Sequence, residues 1–150
     1  MSHTPGVLIE AEPGIARLLA PNPSPYTFEG TWVHFVGERE VAIVDPGPAI
    51  PGHIDAMVSA IDGRPVAAIL ITHTHRDHSP AANALRERTG APVIGCTSLD
   101  LKNLSGAEAS FDHGYAPDRV LSDGESITVD GRTLTALHTP GHTSNHLCFA

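Results

Sequence analysis

Thr72-His73-Thr74-His75-Arg76-Asp77-His78 follows directly on Val66–Ile71, a continuous apolar run with β-branched ends. A run of that kind reads as a strand covered on both faces. Side chains two apart in extended backbone project to one side, so His73 and His75 can share one ion where the strand ends. Ser79-Pro80 then reads as a helix start with proline in the first turn, and the helix-forming run to Arg88 ends at Gly90. The turn into that helix swings Asp77 and His78 to a neighbouring position, so one short segment can serve two adjacent metal sites. Imidazole suits zinc, and the Asp77 carboxylate adds a hard anionic ligand for a second cation.

One strand end cannot surround an ion, so a distant ligand has to close the first site. His142 is the candidate, carried by the Pro-Gly turn of His138-Thr139-Pro140-Gly141-His142-Thr143. Three histidines with one open position is the catalytic pattern of zinc, whereas four closed protein ligands make a structural site. At the open position zinc lowers the pKa of water from about 15.7 to roughly 7. The chain holds ten histidines, and their clustering sets these apart. His3, His34, His53 and His138 read as ordinary satisfied or solvated residues. His113 sits in an irregular loop where it can touch substrate, and His146 suits a supporting hydrogen bond behind the ligands. Asp45, which ends an apolar strand before Pro46-Gly47, either caps its own turn or orients a ligand histidine.

Outward from these motifs, Tyr26 to Val36 and Val41–Val44 flank the turn-like Gly37-Glu38-Arg39-Glu40 and predict an antiparallel hairpin. Pro51–Ile61 has helical spacing and is closed by Asp62-Gly63. Pro92 to Ile94 is a short strand, and Leu99 to Pro117 a long loop with one helical turn. Arg119 to Leu121, Ser126–Val129 and Thr133 to His138 predict a small antiparallel meander.

With 150 residues and 41% hydrophobic content, the chain has the makings of one globular domain. Acidic residues outnumber lysine plus arginine by 17 to 9, which disfavours unspecific nucleic-acid binding. A confined site that cuts RNA is not excluded, because a bound metal supplies charge that the formal count of -8 omits. No stretch is long and apolar enough to span a bilayer, and Met1 to Pro13 has no leader pattern, so a cytoplasmic protein is expected. Cys96 and Cys148 form no CxxC pair and are expected to be buried free thiols.

Taken together, Thr72 to His78 resembles the HxHxDH signature of the metallo-β-lactamase superfamily, and His138 to Thr143 resembles its next metal motif. Val44-Asp45-Pro46-Gly47 matches a recurrent upstream element. The resemblance runs from about Tyr26 to the C-terminus. It implies an α+β fold, the αββα sandwich, with metals at the edge between two sheets. By the family pattern His73, His75 and His142 are first-site ligands, and Asp77 with His78 belongs to the second site. The wider context is similar to glyoxalase II-like thioesterases and to an endoribonuclease-like subgroup. The family pattern continues to a bridging Asp on a later strand and a further His. Thr143 to Ala150 contain no Asp, so residues 1–150 are expected to be the N-terminal part of a single domain of this type. An open sheet edge would then favour self-association.

The expected activity is that of a zinc hydrolase, with one or two Zn2+ (iron or manganese as substitutes) and with Asp77 holding the second metal or orienting water. The substrate is a small molecule carrying an ester, thioester, lactone or phosphodiester, RNA being the macromolecular case. The alternatives are an iron-dependent persulfide dioxygenase-like enzyme and a catalytically inactive metal-binding fragment.

Overall fold

The computed structural model describes residues 2–103 and 108–150. Seven strands form one sheet in sequential order: β1 (Leu8–Glu12), β2 (Ile15–Leu19), β3 (Trp32–Val36), β4 (Val41–Val44), β5 (Val66–Ile71), β6 (Val93–Gly95) and β7 (Arg119–Val120). The first four pair antiparallel, and β4 to β7 run parallel. Parallel neighbours need crossovers. Helix α1 (Pro51–Ile61) joins β4 to β5, and α2 (Ala82–Thr89) joins β5 to β6. A second sheet holds β8 (Ser126–Val129), β9 (Arg132–His138) and β10 (Leu147–Phe149), all antiparallel, in the order β10-β9-β8.

Strand β5 is buried on both sides, because Ile69, Leu70 and Ile71 point alternately to opposite faces and all are inaccessible. Met57 and Ile61 of α1 and Leu85 of α2 join the same apolar cluster as Val129 and Ala136 of the second sheet and Leu147 of β10. One core therefore binds helices, large sheet and small sheet, and the expected α+β sandwich is observed in these layers. Burying side chains of this size contributes roughly 1.5–3 kcal/mol each.

Helix α1 has the expected bounds. Proline occupies its first turn, and Asp62, at φ 52°, ends it by donating its N–H to Val58 O. Elsewhere the structure corrects the sequence. Strand β3 begins at Trp32 instead of Tyr26, because residues 22 to 31 fold into their own hydrogen-bonded loop: the Asn22 side chain accepts from Thr31 N and donates to Thr31 Oγ1. Helix α2 starts at Ala82, since the amides of His78 and Ser79 bond back to His75 O and that of Ala81 goes to Gly47 O. Strand β7 leaves the meander and pairs with β6, where the Asp118 carboxylate accepts Val93 N–H at 2.8 Å. The hairpin β1–β2, turning at Pro13-Gly14, has no counterpart in the reading of the sequence. Among its described residues the long loop carries two short 3-10 turns, Leu101–Asn103 and Glu108–Ser110. Both cysteines are free, but only Cys96 is buried: on β10 Leu147 faces the core and Cys148 faces out.

At the ends of β3, β4 and β9 that lie away from the histidines, the two sheets are fastened through their turns. The Asp130 carboxylate accepts the amides of Glu38 (2.8 Å) and Arg39 (3.3 Å), and Asp130 N–H donates to the Glu40 carboxylate at 3.1 Å.

Candidate metal centre

Strands β4 and β5 end side by side, with Asp45 N donating to Leu70 O, and this brings Asp45 against Thr72. Asp45 takes the left-handed conformation, φ 50°. Its Oδ1 accepts Thr72 N–H at 2.8 Å, and its Oδ2 accepts the Thr72 hydroxyl at 2.6 Å. A hydroxyl has one proton, so Thr72 Oγ1, 2.8 Å from His73 Nδ1, must accept from that nitrogen. The proton of His73 is thereby placed on Nδ1. Nε2 is left with a bare lone pair, and that atom is buried with no partner. The residue is only 3% exposed. Burial, reinforced by the charge of His78 and opposed by Asp45, pulls the His73 pKa down to about 3, so the ring is neutral.

A buried acceptor without a donor is costly. The rings of the other two histidines of the group lie close by, with centroids 5.1 Å (His75) and 4.9 Å (His142) from that of His73. One ligand atom each of His73, His75 and His142 lie within 4.8 Å of one another. His75 Nδ1 and His142 Nε2 are 3.1 Å apart. Two nitrogens bound to one zinc at roughly 2.0–2.1 Å with tetrahedral angles stand about 3.3 Å apart, so the spacing fits ligands of a single ion. Burial first, and then the neighbouring His142 ring, lower the pKa of His75 below its ordinary value.

His78 is placed differently. Its Nδ1 is 3.1 Å from Asp45 Oδ2 and its Nε2 is 3.3 Å from Asp77 Oδ2. Burial works against charge on this ring, but hydrogen bonds to both carboxylates outweigh it and lift the pKa to about 9. The hydrogen bond from His78 in turn lowers the pKa of Asp77. Asp45, His73 and His78 form a second three-residue group able to hold an ion among the described residues. Asp77 belongs to neither group, but its carboxylate is bound to His78 and borders the cleft in front of the cluster.

That cleft has a volume of about 610 Å3 and is lined by His75, His142, Asp77, Arg76 and Ser110, with Tyr26 at its rim. Tyr26 is 93% exposed. His142 reaches the cluster from the bend after β9. The bend is tied to the large sheet by Leu147 N donating to Thr72 O and by Asn145 Nδ2 donating to Thr97 O at 2.8 Å.

Asp45 thus does more than cap a turn: it orients Thr72 and His78. His146 stacks on His73 with ring centroids 4.8 Å apart and meets Thr139 Oγ1 through Nδ1. His113 is exposed and borders a smaller cavity with Thr74, Asp112 and Tyr115, away from the histidine cleft. His3 pairs with Glu29, and His138 lies at the end of β9 outside the cluster. Sequence reasoning passed over Thr72 and Asn145. Thr72 stands beside the motif it orients, but its role depends on a carboxylate 27 residues upstream.

Comparison with known proteins identifies the family of the chain. The family model described as "Metallo-beta-lactamase superfamily" matches residues 26–150. An atrochrysone carboxyl ACP thioesterase from Aspergillus chevalieri is 36% identical over 143 residues, covering 91% of this chain and 41% of that protein. A hydroxyacylglutathione hydrolase from Pseudomonas aeruginosa is 35% identical over 111 residues, covering 74% of this chain and 37% of that protein. Among solved structures, a metallo-beta-lactamase family protein from Thermus thermophilus superposes with a TM-score of 0.68 at 26% identity, over 93% of this chain and 56% of its own. The chain therefore spans about two-fifths of the length of these curated relatives.

Proposed function

The chain belongs to the metallo-beta-lactamase superfamily, and we propose that it carries the zinc centre of a hydrolase acting on a small acyl substrate, a thioester first among them. The observation that carries this reading is the bare, buried Nε2 of His73 in a group whose ligand atoms, one each from His73, His75 and His142, lie within 4.8 Å of one another. When bound, zinc supplies Lewis acidity toward a carbonyl oxygen and a nucleophile at neutral pH by lowering the pKa of water. The three histidines are its ligands, and the Asp45–Thr72 pair keeps His73 in the ligating tautomer. Asp77, at the cleft and ionised, orients the attacking water or holds a second cation with His78. For that second role His78 has to give up the proton that Asp45 and Asp77 now stabilise.

The preference for a thioester rests on the relatives, of which one is named a thioesterase and another a hydroxyacylglutathione hydrolase. Tyr26 at the rim of the cleft and Arg76 within it offer an apolar and a cationic wall to such a substrate. Among the described residues no helix is long and apolar enough to cross a membrane.

The test is elemental analysis of the purified chain together with assays on thioester, lactone and phosphodiester model substrates. We expect tightly bound zinc and thioester cleavage that is lost on chelation and restored by the metal. A chain that takes up no metal at micromolar zinc would overturn the reading, and cleavage of the phosphodiester alone would overturn the choice of substrate.

A further inference from the structure

In the sequence His53 reads as an ordinary histidine, and the structure gives it an unusual place. It is the third residue of α1, only 2% exposed, and its Nε2 lies 2.7 Å from Pro46 O. A carbonyl can only accept, so the ring proton is on Nε2. Nδ1 is then a bare nitrogen, buried without a partner. Burial depresses the basicity of the ring more than the Pro46 contact restores it, so the imidazole is neutral. An apolar residue would fill the same space without burying an unpaired atom, so the hydrogen bond to Pro46 is the feature that distinguishes histidine here.

Pro46 is the middle of a three-residue bend whose two neighbours both serve the histidine cluster. Asp45, at φ 50°, aims its carboxylate at Thr72 and His78. Gly47, at φ 84°, donates its N–H to His78 O and accepts from Ala81 N. A Cβ at position 47 would stand 3.1 Å from His53 Nε2, so the imidazole is seated tightly against the bend. An aspartate held at positive φ is uncommon and persists only where its surroundings fix it. The carbonyl between Asp45 and Gly47 is the handle by which a side chain of α1 grips this bend.

We infer that His53 is a positioning residue for the metal centre: from the first turn of α1 it holds the Asp45-Pro46-Gly47 bend, and through Asp45 and Thr72 it sets the tautomer and direction of His73. This rests on the reading of the histidine cluster as a metal site. It acts through the bend and touches neither substrate nor metal. Partners that orient metal ligands from behind are commonly worth about 10–100-fold in affinity, and a residue one step further back belongs at the lower end.

The experiment uses the 150-residue chain with cobalt(II) and zinc(II) as probes, in competition with a chromophoric chelator. It compares wild type, His53→Leu, which fills the space without a donor, and His53→Gln, which restores an N–H. The imidazole N–H proton resonances of His73 and His78 are recorded in the metal-free proteins. We expect His53→Leu to bind both metals about tenfold more weakly, to alter the cobalt visible spectrum, and to lose or shift the two N–H resonances, with His53→Gln recovering much of each. If His53→Leu does not fold, His53→Asn, too short to reach Pro46, replaces it. Wild-type affinity, spectrum and resonances in the donor-less variant would overturn the inference, as would equal weakening in His53→Gln. Should wild type itself bind no metal, the metal reading fails separately, and the resonances decide about His53: unchanged signals refute it, lost signals uphold it.

Discussion

The two stretches that meet at the histidine cluster are held in opposite ways. Residues 72 to 78 leave a strand whose last four residues are buried, and His73 is locked by a hydroxyl, a carboxylate and three neighbouring rings. Residues 139 to 146 leave the end of the small sheet, and His142 is exposed, meeting the other stretch through the rings of His73 and His75. One side of the site is set when the core forms. The other is a bend whose bonds are mostly to itself, such as Gly141 N and His146 N to Thr143 O. An ion therefore gains little by ordering the first stretch further and has most to order in the second.

The largest effect is expected from removing a ligand. His73→Ala, His75→Ala and His142→Ala should each abolish tight metal binding in elemental analysis, because two nitrogens are too few to hold zinc tightly. The comparison is sharpened by the metal-free proteins: His73→Ala should lower the thermal midpoint by several degrees, and His142→Ala should leave it nearly unmoved. Unchanged metal content in His142→Ala would remove the exposed bend from the centre. Asp77→Asn comes next. It should lower thioester hydrolysis by about 100-fold, the usual worth of a proton-handling group, while the midpoint stays within the narrow range of surface substitutions. Equal rates would take Asp77 out of the mechanism.

A subtler change probes the locked side alone. Thr72→Val keeps the shape and removes the hydroxyl between Asp45 and His73, so zinc affinity in chelator competition should fall by about 10–100-fold. Affinity equal to wild type would mean that His73 needs no such lock.

The smallest effect is one of acidity on the metal-free chain. His73 stays neutral down to about 3 when folded, so stability is lost as pH falls below its ordinary value of 6.5, where the unfolded chain takes up the proton. His78 keeps its proton up to about 9, so its contribution is complete below 6.5 and is lost as pH rises through 9. The pair should give a midpoint that is highest near pH 6.5 and declines on both sides, measured by thermal denaturation in chelator. A midpoint rising steadily from about pH 7 to about pH 9 would contradict the assignment for His78.

The sequence revealed these two sides unequally. Helix α1 was legible to the residue because Pro51 and Asp62-Gly63 mark its ends, and β5 because six apolar residues leave no other reading. The three histidines that the fold brings together were readable as a group because their spacing has few structural uses. Strand β1 was not: four of its five side chains are exposed, and an edge strand paired on one side needs no apolar stripe. Strand β7 has two residues, too few for any period. The supporting roles of Thr72 and Asn145 come from hydrogen bonds across 27 and 48 residues, and no local pattern records such meetings, whereas the role of Asp45, across 33 residues, is one of the two that its place at a strand end offers.

The turn-to-turn clasp at Asp130 bears on alignment. Sheets stacked face to face share no ladder of hydrogen bonds, and apolar side chains alone are poor at indexing one layer against another. With Asp130 gripping the amides of Glu38 and Arg39 at one end, and Leu147 N on Thr72 O at the other, the small sheet is pinned as a plank is by two dowels. A slip of one residue, about 3.3 Å along the strand, would pull both dowels together. The distance from His142 to His75 is therefore gauged partly by an aspartate at the far end of β9, in the turn that opens that strand.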